Sequence, residues 1–444
     1  MDVEGTARRL LAAGLSDERI TKTLTERILE HKPVDAEYAA AFSRAVLEEV
    51  KNTTGLSGDL FVYERAGVGM GEFGVGSRGT GDFFAHRQIA RIIGRSDAAV
   101  GVDEMDDAGA IKAQGTYIVS TVDGMHSRLS DFPYLAGFHA TRATLRDVYV
   151  MGARPISLFS DIHVADDGDV AKIFDYTAGI TTVGEAMHVP LVTGSTLRIG
   201  GDMVLGERLT GCVGAVGVAD HLTARREMRP GDVLLMTEGA GGGTIATTAL
   251  YYGRPDVVDE TINLHFLKAC EALLAKPEVL ASIHAMTDVT NGGLRGDAYE
   301  MAETARCRVV IEARNLRKLV NPRVLALLDE LSIDYLGVSL DALLIAAPPA
   351  AAQAAEQVIH SKGVACAIVG RAEAGTEEAV LVVDGKEQDF SPRFRESAYT
   401  PVKKVADRSV KDWERMKANV ARAADAAIAK KERILARLRG SSLI

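Results

Sequence analysis

The chain has 444 residues, 47% of them apolar, and a formal net charge of −10. That length exceeds what one hydrophobic core fills and predicts two domains with appendages. The acidic balance argues against a general nucleic-acid binder, whose phosphate-tracking surface needs a basic excess.

Residues 1–56 set Leu10, Leu11, Leu15, Ile20, Leu24 and Ile28 at helical spacing and repeat the pattern through Phe42, Val46 and Val50, which predicts a helical appendage. Seven glycines between Gly67 and Gly81 are too many to hold a helix or strand and predict a mobile linker or a ligand-wrapping loop. A helix at 86–93, strands at 98–102 and 116–121, and a helix at 137–150 are expected next. A strand at 156–163, a helix at 170–187 and strands at 190–193 and 210–218 follow, an arrangement that predicts an α+β or α/β layer. Arg229-Pro230-Gly231-Asp232 feeding Val233–Thr237 marks a domain boundary, and strands are expected at 309–312 and 343–347. From about residue 400 the pattern is helical, with 12 Lys and Arg against 5 Asp and Glu between Lys403 and Arg439, a balance of +7. That tail reads as a solvated amphipathic helix or as a partner-docking helix. Trp413, the only tryptophan, marks an anchor within it.

Four cysteines (Cys212, Cys270, Cys307, Cys366) have no C-x-x-C spacing and read as buried packing thiols, indicating neither a disulfide framework nor a zinc site. The first residues lack a signal-peptide pattern, and no stretch approaches 18 uninterrupted apolar residues. Both point to a soluble, cytoplasmic chain without a membrane partner.

The chemistry concentrates in carboxylates beside turns. Asp106-Asp107-Ala108 reads as a turn or as a pair that ligates Mg²⁺ on nucleotide phosphates. Asp123, in Asp-Gly at a strand end, carries the same two readings. Asp147 sits in the last turns of an apolar helix, where an acid opposes the macrodipole unless something compensates. Asp288, at a strand end before Asn291-Gly292-Gly293-Leu294, reads as a helix cap or as a phosphate or metal site at that helix start.

Together these elements resemble the aminoimidazole-ribonucleotide synthetase (PurM-like) superfamily, over roughly residues 60–375. Asp106-Asp107-Ala108 is similar to its Asp-Asp-Ala, Ser120–Gly124 to its Ser-Thr-Asp-Gly, and Asp147–Pro155 to its Asn-Asp-x-x-x-Met-Gly-Ala-x-Pro. Thr193-Gly194-Ser195-Thr196 resembles a Gly-Gly-Asp-Thr turn, and Asp288–Leu294 an Asp-x-Thr-Asp-Gly-Gly-Leu segment. The nearest branch holds selenophosphate synthetase, the hydrogenase maturation factor and thiamine-monophosphate kinase.

The resemblance implies an α+β, two-domain PurM-like fold: 1–56 a helical appendage, 57–222 a barrel-forming, ATP-binding dimerisation domain, 223–390 a C-terminal α/β sandwich domain, and 391–444 a basic helical tail. It implies a homodimer using ATP and Mg²⁺ to phosphorylate an amide, carboxylate or sulfur-containing group on a small-molecule or protein-borne acceptor. The alternative is an ATP-binding maturation factor without turnover. Metal would lie on Asp106, Asp107, Asp123 and Asp147. Nucleotide would lie on Gly74, Gly76, Arg78, Gly79, Gly81, Thr121, Gly124, Thr193, Gly194 and Asp288. His126 is the expected acid or base and Arg128 the phosphate clamp.

Departures narrow the branch. Residues 67–82 contain neither the Cys nor the Lys of selenophosphate synthetase, which argues against selenide activation. The end Gly440–Ile444 lacks the terminal cysteine of the hydrogenase factor, so the chain is not expected to carry its own substrate there. Ser195 and Asn291 replace acids of the family pattern, which predicts a weaker or missing metal site.

Overall fold

The computed structural model describes residues 1–396, 398–406 and 412–440. The chain end 441–444 and part of the basic tail thus lie outside the described residues.

Three N-terminal helices, α1 (Val3–Ala12), α2 (Asp17–His31) and α3 (Ala36–Asn52), begin at Asp2, Ser16 and Asp35, whose side chains accept from Gly5, Arg19 and Tyr38 amides. Such caps satisfy amides that a helix start leaves unpaired. Ile20, Leu24, Ile28, Val46 and Val50 fill the bundle's own small core. The bundle is tied to the next domain by the Val3 amide on the Asp202 carbonyl and by a Lys32–Asp167 ion pair at 2.6 Å.

The glycine-rich stretch differs from its expected form. It contains a one-turn helix, α4 (Met70–Phe73), and runs directly into α5 (Thr80–Ile93). Asp82, buried in the first turn of α5, accepts from the backbone amides of Gly76 at 3.0 Å and Arg78 at 2.9 Å. One carboxylate thus orders a segment that composition alone makes floppy.

The first sheet comprises β1 (Gly109–Ala113), β2 (Thr116–Gly124), β3 (Arg154–Ala165), β4 (Leu191–Ile199) and β5 (Leu209–Ala219), in the order β1-β2-β5-β3-β4. It is open, and only β3 and β4 run parallel. Helix α6 (Pro133–Val150) separates β2 and β3, and α7 (Ala171–Ala186) separates β3 and β4. Residues 98–102 contribute only a bridge from Val100 to Ala110 rather than a strand.

The second sheet has seven strands. They are β6 (Val233–Thr237), β7 (Ala285–Val289), β8 (Arg308–Glu312), β9 (Ala342–Ala347), β10 (Cys366–Glu373), β11 (Ala379–Val383) and β12 (Lys386–Asp389), ordered β12-β11-β8-β10-β6-β9-β7. Side chains alternate between faces. Leu235, Leu343 and Ile345 join the core shared with α6, whereas Leu234, Met236, Leu344 and Ala346 join the core beyond the sheet. Helices α8 (Gly243–Tyr251), α9 (His265–Leu274), α10 (Pro277–Leu280), α11 (Gly293–Ala305), α12 (Ala313–Leu319), α13 (Pro322–Glu330) and α14 (Pro349–His360) cover the two faces.

Helix α6 lies between the two domains, against the first sheet on one side and α9 and β7 on the other. Its interior position explains why buried residues run right around it, including the polar His139, Arg142 and Arg146. After α15 (Pro401–Ala406), the tail helix α16 (Trp413–Gly440) packs along α5 rather than standing in solvent. Trp413 sits among Phe73, Phe84 and Phe394, with ring centroids 5.1–6.0 Å away. Asp425 pairs with Arg91, and Arg433 with Asp59. No helix among the described residues is long and apolar enough to cross a membrane.

A candidate carboxylate-lined active site between the two domains

A cavity of about 680 Å³ opens where β2, α6, β7 and the start of α8 converge. Seven carboxylates line it, Asp106, Asp107, Asp123, Asp147, Asp288, Glu300 and Asp341, against two guanidinium groups, Arg78 and Arg146. Thr121, Gly124 and His126 also face it.

Each carboxylate arrives by a different route. Asp123 is the last residue but one of β2. Asp147 reaches the same space from the last turn of α6, where Thr121 Oγ1 donates to its Oδ2 at 2.8 Å. That hydroxyl offsets little of the acid's cost near a helix C-terminus. Asp288 ends β7 and accepts from Arg146 Nε at 3.0 Å and from Thr290 Oγ1 at 3.2 Å. Arg146 also pairs with Asp341, as does Arg142 at 3.1 Å. Burial works to raise the Asp341 carboxyl, but those two arginines outweigh it and hold the group below its ordinary range.

Asp106 and Asp107 are held differently. Asp106 accepts from the backbone amides of Asp107 and Arg225, each at 2.9 Å. Asp107 takes the Arg225 guanidinium on Oδ1 and the Thr287 hydroxyl on Oδ2. Arg225, 1% exposed, also donates to Glu300 at 2.8 Å and to the Met105 carbonyl at 3.1 Å. It therefore clamps the loop before β1 onto β7 and α11, joining the two domains through charge.

The electrostatics report a surplus of negative charge. Burial pushes Asp107 up to about 8 against the pull of Arg225, with Asp288 and Asp106 adding repulsion. Burial likewise raises Asp123 to about 6 despite Arg146, with Asp288 adding to it. Asp147 stands well above the usual carboxylate range through burial and then the charge of Asp123. Nearby, Asp297 Oδ1 and Glu300 Oε1 are buried without a hydrogen-bond partner. Crowded acids with lone pairs to spare fit hard divalent cations, which take oxygen ligands and relieve this repulsion. Among the described residues, no three of these acids bring ligand atoms within 4.8 Å of one another.

His126 abuts the start of α8, near enough that a Cβ on Gly243 would lie 2.6 Å from its ring. Its Nε2 is 3.5 Å from Thr244 Oγ1. Burial, then the Lys403 charge, lowers it to about 4. At neutral pH it is therefore an uncharged imidazole, which of the expected acid and base roles leaves the base and a hydrogen-bonding part.

The remaining expected residues stand apart from the cavity. Arg128 stacks its guanidinium 5.5 Å over the Tyr251 ring. Thr193 and Gly194 lie within β4, opposite Phe159 and Ser160 of β3, rather than in a turn. Of the glycine-rich segment only Arg78 lines the cavity. Gly76 spends its amide on Asp82. Gly74, Gly79 and Gly81 pack against neighbouring chain, and a Cβ on Gly79 would sit 2.3 Å from the carbonyl oxygens of Arg393 and Phe394. Close approach to the segment before α15 explains that glycine. Sequence reasoning missed Arg146, Arg225, Glu300 and Asp341. The four-residue spacing of Arg142 and Arg146 on an apolar helix was the only signal for any of them.

The chain belongs to the AIR synthase related protein family: the N-terminal domain of that family matches residues 105–219 and the C-terminal domain residues 229–383. It is 53% identical to an uncharacterized protein of Methanocaldococcus jannaschii over 97% of each chain, so the helical ends extend into that relative. It is 31% identical to a selenide, water dikinase of Myxococcus xanthus over 52% of this chain and 64% of that one. Carbamoyl dehydratase HypE of Rhodobacter capsulatus is 30% identical over 59% of this chain and 77% of its own. Among solved structures, hydrogenase maturation protein HypE in complex with ATP superposes with a TM-score of 0.55 at 20% identity, covering 65% of this chain and 88% of that one. These relatives place the PurM-like α+β fold on the same two domains.

Proposed function

We propose that the chain is an ATP- and Mg²⁺-dependent enzyme that phosphorylates an amide, carboxylate or sulfur-containing group on a small molecule or a partner protein. The observation that carries this reading is the surplus of buried carboxylates over guanidinium groups in one 680 Å³ cavity. A nucleotide alone would add negative charge there, so it needs cations with it. Asp123, Asp147 and Asp288 would hold Mg²⁺, with Asp107 beside them, and the cation would neutralise the phosphate oxygens as the terminal phosphoryl group moves. Arg78 and Arg146 present guanidinium charge to the same space. Neutral His126 and Thr244 would orient the acceptor through hydrogen bonds. ATP in a solved relative and a dikinase and a dehydratase among the curated relatives support ATP as the phosphoryl donor.

A homodimer belongs to this reading. One face of the first sheet leaves Ile111, Val122 and Leu197 about half exposed, and a second copy would cover them. We take 57–222 and 223–390 as the two functional domains, flanked by 1–56 and 391–444. Initial rates of ATP consumption, with and without Mg²⁺ and with candidate acceptors, test the proposal. Turnover should require Mg²⁺ and fall at least about 100-fold in Asp147→Asn; Mg²⁺-independent turnover, or full activity in that variant, would sink it.

A further inference from the structure

A second cluster lies beside β10, three strands across the second sheet from Asp288, among residues to which the cavity chemistry gives no part. Glu356 and His360 stand one turn apart on α14, on the same face. Six residues after His360 the chain enters β10 at Cys366. The Glu356 carboxylate, a ring nitrogen of His360 and the Cys366 thiol have ligand atoms all within 4.8 Å of one another, the only such trio among the described residues. The thiol is buried, the carboxylate half-buried and the imidazole exposed, which leaves an entry path from solvent.

We propose that Glu356, His360 and Cys366 form a binding site for a borderline-soft divalent cation of the zinc class. The donor set is one sulfur, one nitrogen and one oxygen, which suits zinc and disfavours Mg²⁺ or Ca²⁺. Three protein ligands leave a fourth tetrahedral position for water or an incoming group. His360 is the last residue of α14, so the negative end of the helix dipole faces the site and favours a cation. Neither the Glu356 nor the His360 side chain has a hydrogen-bond or ion-pair partner among the described residues. Glu238, next to Thr237 opposite Cys366 on β6, adds a second carboxylate nearby. Without a cation, burial and then these two carboxylates push the Cys366 thiol up to about 12. On binding, the thiol gives its proton to solvent and the sulfur lone pair goes to the metal. No oxidant or reductant is involved.

The test uses the full chain, stripped with a chelator and titrated with Zn²⁺ against a chromophoric competitor, then with Co²⁺ for spectroscopy. Wild type should bind one equivalent at this site, and its Co²⁺ form should show near-ultraviolet absorption from thiolate-to-cobalt charge transfer. Cys366→Ser and His360→Gln should each weaken Zn²⁺ binding by about 100-fold or more, and Cys366→Ser should lose the charge-transfer band. His360 is exposed, so its variant folds whatever the fate of Cys366→Ser. Cys307→Ser should bind as wild type does. Undiminished binding in both His360→Gln and Cys366→Ser, binding lost instead in Asp123→Asn, or a cobalt spectrum without the thiolate band would each overturn the assignment.

Discussion

Two carboxylate pairs face one cavity and are used differently. Asp106 and Asp107 have all four oxygens engaged, by backbone amides, the Thr287 hydroxyl and the Arg225 guanidinium. Of Asp123 and Asp147, Asp147 accepts from the Thr121 hydroxyl, and the two repel each other. Carboxylates of the same residue type thus divide into an interdomain clamp, Asp106 and Asp107, and a pair with lone pairs free for cations, Asp123 and Asp147. What separates them is a single arginine that no motif announces.

Removing that arginine is the strongest way to break the contrast. Arg225→Met should cost about 3–5 kcal/mol of stability, because it leaves Asp106, Asp107 and Glu300 buried without a countercharge. Chemical denaturation measures it, and a loss below about 1 kcal/mol would mean that the clamp contributes little.

One member of each pair should reveal itself through pH. The folded-state carboxyls of Asp123 and Asp107 stand near 6 and 8, above their unfolded value near 3.9. The folded chain therefore holds more protons, and their contribution to stability is complete below about pH 4 and lost as pH rises through 6 and then 8. In a chelator-treated sample, the melting temperature should fall between pH 5 and pH 8.5. Millimolar Mg²⁺ should remove most of that fall, and Asp123→Asn should flatten its lower part. A melting temperature that rises over this range without Mg²⁺ contradicts the assignment.

A smaller effect tests the packing of the glycine-rich segment. Gly79→Ala should cost about 1–3 kcal/mol by overpacking against the carbonyls of Arg393 and Phe394. Gly67→Ala, with open space around it but a φ of +67°, should cost about 1 kcal/mol through backbone strain alone. Equal costs would mean that the 393–395 segment does not bear on the glycine-rich stretch.

Much of the cavity was legible because strand ends and Asp-Gly or Asp-Asp turns are local signals. Asp106, Asp107, Asp123, Asp147 and Asp288 all reach it. Glycines misled in one direction. Their density predicts a loop that wraps phosphate, yet Asp82 takes the Gly76 and Arg78 amides and the helix begins at Thr80. Composition records backbone freedom without recording what consumes it. Thr193 and Gly194 misled in the other direction, since a small polar run that reads as a turn is an exposed edge strand held by parallel pairing to β3. The basic tail read as solvated because its partners lie some 330 to 370 residues away, at Arg91 and Asp59. Arg225 and Asp341 were invisible for the same reason: long-range ion pairs leave no spacing in the sequence.

In the proposed function, Asp123 and its neighbours hold nucleotide through a divalent cation. Calorimetric titration of ATP into wild type and Asp123→Asn, each with Mg²⁺ and with chelator, tests it most directly. Wild type should bind only with Mg²⁺, and affinity should be at least about 10-fold weaker in the variant, equivalent to about 1.4 kcal/mol. Equal ATP affinity with and without Mg²⁺, or an Asp123→Asn protein that binds as wild type does, would contradict it.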